Sequence, residues 1–229
     1  MNTNDRKRPQ QGGPPLVVLA SVSLLLLVGG LVIGGAVGGI PALPFAAGTS
    51  VRDFLAAHPA AIQAAAIGTF GSSVPLAIYA ATASARLRQL GVTAPGATIA
   101  LAGGVLAAGA LGLSGLVLWT LSRPEVTADE PLVRALYFLV FLTGGPAHVV
   151  ALGLLIAGVA VPSLILDLTP RWLAWAGLVI AALAELTTLV LIWPGLDVLL
   201  PIARFSGLVW LIGTGALLPT RRPRRAVAA

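Results

Sequence analysis

The chain has 229 residues, of which 57% are hydrophobic and 10% are charged, and its mean hydropathy is +0.96. A soluble domain carries roughly 25% charged residues, so this composition excludes a water-soluble globule. The chain has no cysteine, which excludes disulfides and cysteine-ligated metals. The net charge of +6 comes from bases in the tails and loops beside apolar stretches. That placement is typical of attraction to anionic lipid headgroups and not of nucleic-acid binding.

Six long apolar stretches predict six membrane-spanning helices, because about 20 mostly apolar residues cross a bilayer. The predicted helices cover residues 16–40, 60–84, 95–121, 132–161, 171–193 and 196–218. They predict an all-α polytopic membrane helix bundle over residues 16–218, embedded in the lipid bilayer.

The segments outside the six helices are short. Residues 1–15 are polar and predict a disordered tail, and residues 219–229 form a basic tail. The first apolar stretch has 25 residues, which favours a retained helix over a signal peptide, whose apolar core has about 7–15 residues. Ser50-Val-Arg-Asp53 has the pattern of a helix start and predicts a short helix on the membrane surface.

The basic residues indicate the orientation of the bundle. Cytoplasmic loops carry an excess of Arg and Lys, so we place the N-terminus in the cytoplasm, which puts ten bases inside and at most four outside. The inside set is Arg6, Lys7, Arg8, Arg86, Arg88, Arg171, Arg221, Arg222, Arg224 and Arg225, and the outside set is Arg52, Arg123, Arg134 and Arg204. Both termini are therefore predicted to be cytoplasmic.

Small residues recur at four-residue steps in two of the predicted helices. The first helix has Gly30, Gly34 and Gly38, and the third has Ala100, Gly104, Ala108 and Gly112. Such ladders let helix backbones approach closely. They favour tight packing within the bundle; the alternative is a homodimer or a partner membrane protein bound through the three glycines of the first helix.

Two oppositely charged residues lie inside neighbouring predicted helices. Glu185 is in the fifth helix and Arg204 in the sixth, at similar depths, and a very short turn makes the two helices antiparallel neighbours. A charge inside a bilayer costs about 2.5–3.5 kcal/mol, so we predict a Glu185–Arg204 ion pair, either a fixed structural link or part of a binding site. Asp197, seven residues before Arg204 on the same helix face, is a competing partner.

His148 lies near the middle of the fourth helix, directly after Gly144-Gly145-Pro146. A proline inside a helix removes a hydrogen bond and kinks the chain. His148 is then either a proton carrier or ligand contact in the wall of a site, or a neutral side chain bonded to a neighbouring helix at a packing kink. His58, the other histidine, is predicted outside the membrane, so neither haem nor a metal is predicted.

The sequence lacks the common catalytic motifs. It contains no His-Glu-x-x-His, no Gly-x-Ser-x-Gly and no paired intramembrane aspartates. Ser72 and Ser73 follow Gly71 in the second helix, but their flanking residues do not match a rhomboid-like Ser–His dyad. We therefore predict no catalytic residue, no cofactor and no enzymatic activity.

Three segments resemble a known group of proteins. They are Phe141-Leu-Thr-Gly-Gly-Pro-Ala-His148, Pro170-Arg-Trp-Leu-Ala-Trp-Ala-Gly177 and Leu200-Pro-Ile-Ala-Arg-Phe-Ser-Gly-Leu-Val-Trp-Leu211. The chain is similar to small actinobacterial six-span integral membrane proteins that carry a domain of unknown function. The resemblance covers residues 16–219 and implies a six-helix protein of the bacterial cell membrane, with no functional residue to carry over.

Two functions follow as expectations. The first is a non-catalytic membrane subunit or scaffold that contacts a partner through its glycine ladders. The alternative is a protein that binds or transports a small molecule or lipid between the fourth, fifth and sixth helices, with Glu185, Arg204, His148 and Asp197 as candidate binding residues. A cavity that reaches these polar residues favours the alternative, because transporters carry polar groups inside the membrane.

Overall fold

The computed structural model describes residues 13–39, 44–45 and 51–220. All regular structure in this part of the chain is helical, and six helices are long and apolar enough to cross a membrane, which confirms the predicted fold class. Most of both predicted tails (residues 1–12 and 221–229) and the predicted helix start at Ser50 lie outside the described residues.

The helices are numbered here in chain order. The first half contains α1 (Leu16–Gly38), α2 (Val51–Ala57), α3 (Pro59–Gln89), α4 (Gly96–Thr120) and α5 (Pro124–Thr127). The second half contains α6 (Glu130–Leu142), a π-helical segment (Thr143–Ala147), α7 (His148–Ile165), α8 (Arg171–Leu186) and α9 (Leu199–Leu217). Two short 3₁₀ segments, Thr187–Leu191 and Pro194–Leu196, connect α8 to α9.

Local sequence explains where several helices begin. The Asp129 side chain accepts a hydrogen bond from the Leu132 backbone N–H at 3.2 Å, which caps the start of α6. Helix α3 begins at Pro59, because the first N–H groups of a helix have no partner within it and a proline there loses no hydrogen bond. The helix ends at Gln89, five residues past its predicted end at Ser84. Gly91 then adopts φ +93° in the tight connection to α4.

The six spans form a closed ring in chain order. Helix α3 packs between α1 and α4, α7 packs between α4 and α8, and α9 packs against both α8 and α1. The ring order follows from the short connections, since helices joined by a few residues become antiparallel neighbours.

The predicted glycine ladder of α1 packs against α3. A Cβ added at Gly30 would lie 2.7 Å from the Gly68 Cα atom, and one at Gly34 would lie 2.8 Å from the Ala61 carbonyl oxygen. A Cβ at Gly38 would lie 2.6 Å from the Ala61 Cβ. The ladder thus packs against another helix of the bundle, as the favoured interpretation predicts. A partner protein could reach this face of α1 only by displacing α3.

Buried hydrogen bonds cross the ring in the half nearer the two termini. The Tyr79 hydroxyl of α3 donates to the Leu211 carbonyl of α9 at 3.0 Å. The Trp210 indole N–H of α9 donates to the Leu173 carbonyl of α8 at 2.7 Å. Both side chains are almost fully buried. This half of the bundle is therefore filled with side chains and tied together.

Replacing Gly30 with alanine should destabilise the bundle, because the new methyl group would press on the α3 backbone. Overpacking of this kind costs about 1–3 kcal/mol. Gly29→Ala is the matched control, since a Cβ at Gly29 meets nothing within 4 Å and both changes gain the same helix propensity. Thermal unfolding in detergent should show a lower Tm for Gly30→Ala than for Gly29→Ala. Equal Tm values would contradict the packing role of Gly30.

Candidate functional site

The fourth span is interrupted at Thr143–Ala147, where the helix widens into one π turn. Gly145 adopts a non-helical conformation, φ −89° and ψ −106°, and Pro146 has no N–H to donate. The His148 backbone N–H bonds to the carbonyls of Thr143 and Gly145. In a regular α-helix it would bond to the carbonyl of Gly144, so that carbonyl loses its usual donor.

Arg204 of α9 supplies a donor to this carbonyl. Its Nη2 group donates a hydrogen bond to the Gly144 oxygen. Ser114 of α4 packs on the other side, and its hydroxyl donates to the Val140 carbonyl at 3.1 Å. A Cβ at Gly144 would collide with the Ser114 Oγ. The interruption is therefore held between α4 and α9, and position 144 leaves little room for a side chain larger than glycine.

A cavity of about 530 Å³ lies beside the interruption. Its lining is mainly apolar and comes from five of the six spans: Leu27, Leu31, Thr69, Leu111, Ser114, Leu118, Val140, Phe141, Gly144, Gly145, Asp197, Val198, Leu200, Pro201 and Arg204. None of these residues belongs to α8. The cavity therefore lies toward the α1–α9 side of the ring, and the predicted location between the fourth, fifth and sixth helices stays a prediction.

Helices α1 and α9 touch at one end and enclose the cavity at the other. A Cβ at Gly215 would lie 2.9 Å from the Val17 backbone N, so the two helices are in close contact there. Toward the other end, Leu31 of α1 and Val198 at the start of α9 form part of the cavity wall and are 42% and 58% exposed. Among the described residues, the exposed wall of the cavity, which we take as its mouth, therefore lies between these two helices.

Two of the four predicted binding residues, Arg204 and Asp197, line this cavity. Both are described residues, and they form no ion pair with each other. Asp197 is half-buried and lies seven residues before Arg204, which places it about 10 Å nearer the helix end at 1.5 Å per residue. The cavity thus has a carboxylate toward its mouth and a guanidinium deeper inside.

The predicted Glu185–Arg204 ion pair is wrong. Glu185 is exposed on the outside of the ring, and its Oε1 lies 3.3 Å from where a Cβ at Gly153 of α7 would be. Arg204 points into the bundle, toward Gly144. The two residues lie at similar depths, but their helix faces point in different directions.

His148 lies inside the bundle and is not part of the cavity wall. Its Nδ1–H donates to the Ala107 carbonyl of α4 at 2.9 Å, since a carbonyl can only accept. The Nε2 atom is buried without a partner among the described residues. His148 is thus bonded to a neighbouring helix at the kink, as the packing interpretation predicts, and its role as a proton carrier or ligand contact stays a prediction.

Sequence reasoning did not identify two parts of the site. Ser114 is an isolated hydroxyl in an apolar helix, and nothing near it in sequence indicated that it would face the interruption. The Gly144 carbonyl is a backbone group, although the Gly-Gly-Pro sequence did predict the break around it.

Comparisons with known proteins add no candidate residue: no protein-family model, curated protein or solved structure matches the chain. The resemblance to the actinobacterial group stays a prediction.

Gly144→Ala should destabilise the protein by about 1–3 kcal/mol, the usual range for overpacking, because its methyl group would collide with the Ser114 hydroxyl. Ser114→Ala removes that oxygen, so the double variant should recover part of the loss. Chemical or thermal unfolding of both single variants and the double variant measures this coupling. Gly109→Ala, where a Cβ meets nothing within 4 Å, controls for glycine replacement. Strictly additive effects would mean that the two positions do not press on each other.

Proposed function

We propose that this chain is a non-catalytic, multi-pass protein of the bacterial plasma membrane that binds an anionic amphiphile in the cavity at Arg204. Six apolar helices are compatible with a multi-pass membrane protein. The observation that carries the finer proposal is an arginine without an ion-pair partner among the described residues, on the wall of a mainly apolar cavity.

The guanidinium of Arg204 has donors to spare. It carries five N–H donors, and one hydrogen bond to the Gly144 carbonyl is formed with the described residues. The planar guanidinium matches the oxygens of a carboxylate or a phosphate. In a low-dielectric cavity such a charged hydrogen bond is stronger than in water. An anionic group is therefore the chemistry that Arg204 recognises best.

The remainder of the cavity favours an apolar chain attached to that anion. Leu27, Leu31 and Leu111 contribute apolar wall. The cavity opens between α1 and α9 past Leu31, which is 42% exposed on a membrane-spanning helix. A molecule dissolved in the bilayer can enter from the side by this route. Asp197 toward the mouth can accept a hydrogen bond from a hydroxyl or amine of the same ligand.

The proposed orientation has both termini in the cytoplasm and the cavity in the outer half of the membrane. The excess of basic residues in the tails and loops of one side supports it, ten against at most four in the sequence. Arg86 and Arg88 end α3 and Arg171 begins α8 on one side of the bundle. The opposite side carries α2 and α5, which the Arg52 side chain links by donating to the Thr127 carbonyl at 3.0 Å.

Anionic lipid should be retained by the protein through Arg204. In native mass spectrometry after incubation with lipids of matched acyl chains, we expect phosphatidylglycerol to remain bound about tenfold more than phosphatidylcholine, since a hydrogen bond to a charged group contributes about 1.5–3 kcal/mol. Arg204→Gln should reduce phosphatidylglycerol retention to the level of phosphatidylcholine.

Two further variants separate this site from general attraction to lipid. Arg134→Gln removes an exposed arginine at the start of α6 and should leave retention unchanged. Leu31→Trp places a large side chain at the lateral opening and should reduce retention without altering Arg204. Glycerol phosphate tests the headgroup without its chains, and tight binding of it would point to a water-soluble ligand. Equal phosphatidylglycerol retention by the wild type and Arg204→Gln would contradict the proposal.

The orientation can be tested by cysteine labelling without background, because the chain has no cysteine. Thr93→Cys lies in the α3–α4 connection and Ala128→Cys in the α5–α6 connection, and both positions are exposed. In intact cells, a membrane-impermeant maleimide should label Ala128→Cys and not Thr93→Cys. Lysed cells should label both. The reverse pattern in intact cells would place the termini outside.

A further inference from the structure

Glu185 presents a carboxylate to the outside of the ring, about two thirds of the way along the membrane span Arg171–Leu191. The side chain is exposed, and its Oε1 lies over Gly153 of α7. A Cβ at Gly153 would lie 3.3 Å from this oxygen and 2.8 Å from the Ala184 Cβ. The glycine therefore leaves a notch in α7 in which the carboxylate rests.

The surroundings of this carboxylate are apolar and deep in the membrane. Glu185 is fourteen residues after Arg171, the first residue of α8, which is about 21 Å along a helix at 1.5 Å per residue. A bilayer core is about 30 Å thick. The neighbouring Leu154 and Leu186 are 38% and 49% exposed. Glu185 forms no ion pair with any residue in the described part of the chain.

We propose that Glu185 is the docking point for a transmembrane helix of another protein that carries an arginine or lysine at the same depth. Charges inside a membrane are costly and are normally paired, and the carboxylate has no ion-pair partner in the described part of the chain. The occupant that charge complementarity favours is therefore a basic membrane helix. This surface is separate from the cavity at Arg204 and does not depend on the function proposed for that cavity.

An apolar groove of about 570 Å³ provides the surface on which such a helix would lie. It runs between α4, the fourth span and the 3₁₀ segment after α8, and small side chains such as Ala110, Ala147 and Ala151 contribute to it. Small residues allow close approach of a second helix. Leu154 and Thr188 also line the groove; Leu154 follows Gly153, and Thr188 lies one turn beyond Glu185. Glu185 is not itself part of the groove wall, but it lies close in sequence to Thr188 and packs on Gly153, next to Leu154.

Other occupants fit less well. In the described part of the chain, every arginine except Arg204 lies near a helix end or in a connection, and Arg204 bonds to Gly144 within the bundle. A second copy therefore offers no base at the depth of Glu185. Unlike Arg204, Glu185 does not line the cavity proposed to admit a lipid headgroup, so a lipid amine would have to leave the membrane surface through the acyl chains to reach it.

A synthetic helix tests the proposal directly. The probe is a 24-residue leucine-rich transmembrane peptide, about the length that spans a bilayer, with one arginine about two thirds along it. Matched peptides carry leucine at that position, or the arginine shifted to one third. The protein is labelled at Thr93→Cys and the peptide carries the second fluorescent label. Energy transfer between the two labels in phosphatidylcholine vesicles then measures how much peptide associates with the protein. We expect the arginine peptide to associate about tenfold more strongly than the leucine peptide, which corresponds to about 1.4 kcal/mol.

Glu185→Gln is the matched variant, because it keeps the shape of an exposed side chain and removes only its charge. Its Tm should equal that of the wild type, and its preference for the arginine peptide should disappear. Equal association of the arginine and leucine peptides with the wild type would overturn the proposal. So would a preference that persists in Glu185→Gln, or self-association of the protein that depends on Glu185 while the peptide stays unbound.

Discussion

A backbone carbonyl inside a membrane must accept its hydrogen bond from a donor within the protein, and the Gly144 carbonyl accepts one from Arg204. The π turn at Thr143–Ala147 redirects the His148 N–H, so the carbonyl would otherwise be exposed to an apolar medium that offers no hydrogen bond. This bond joins α9 to the fourth span at the interruption, beside the apolar contacts of Leu200 and Gly207 with the same span. It also draws a guanidinium into the bundle, where the cavity lies beside it. The interruption, the placement of Arg204 and the polar part of the cavity are thus one structural feature.

The distribution of small residues decides which end of the ring is closed. Gly215 lets α9 approach the start of α1 to van der Waals contact, and Tyr79 and Trp210 fill and tie the bundle at that end. At the other end of α1 and α9, Leu27 and Leu31 face the cavity instead of a helix backbone. The same two helices therefore close one half of the protein and open the other.

The sequence predicted what periodicity, length and composition control. The six spans follow from apolar length, and the break in the fourth span follows from Gly144-Gly145-Pro146. These features do not determine which atoms the polar side chains contact. Depth along a helix comes from counting residues, but the direction of a side chain depends on how each helix is rotated in the ring. Glu185 and Arg204 have matching depths and different directions, so the ion pair inferred from depth alone does not form.

The failure of that pair changes the chemistry that the two residues offer. A paired Glu185 and Arg204 would satisfy each other inside the protein, and neither would be available to a ligand or partner. Instead Arg204 lines a cavity inside the ring, and Glu185 lies outside it in the notch at Gly153. An unpaired charge in a bilayer is costly, which is why we propose a counter-charge from another molecule for each. The proposed negative ligand group inside the ring and the proposed positive helix outside it would be two separate solutions to the same electrostatic requirement.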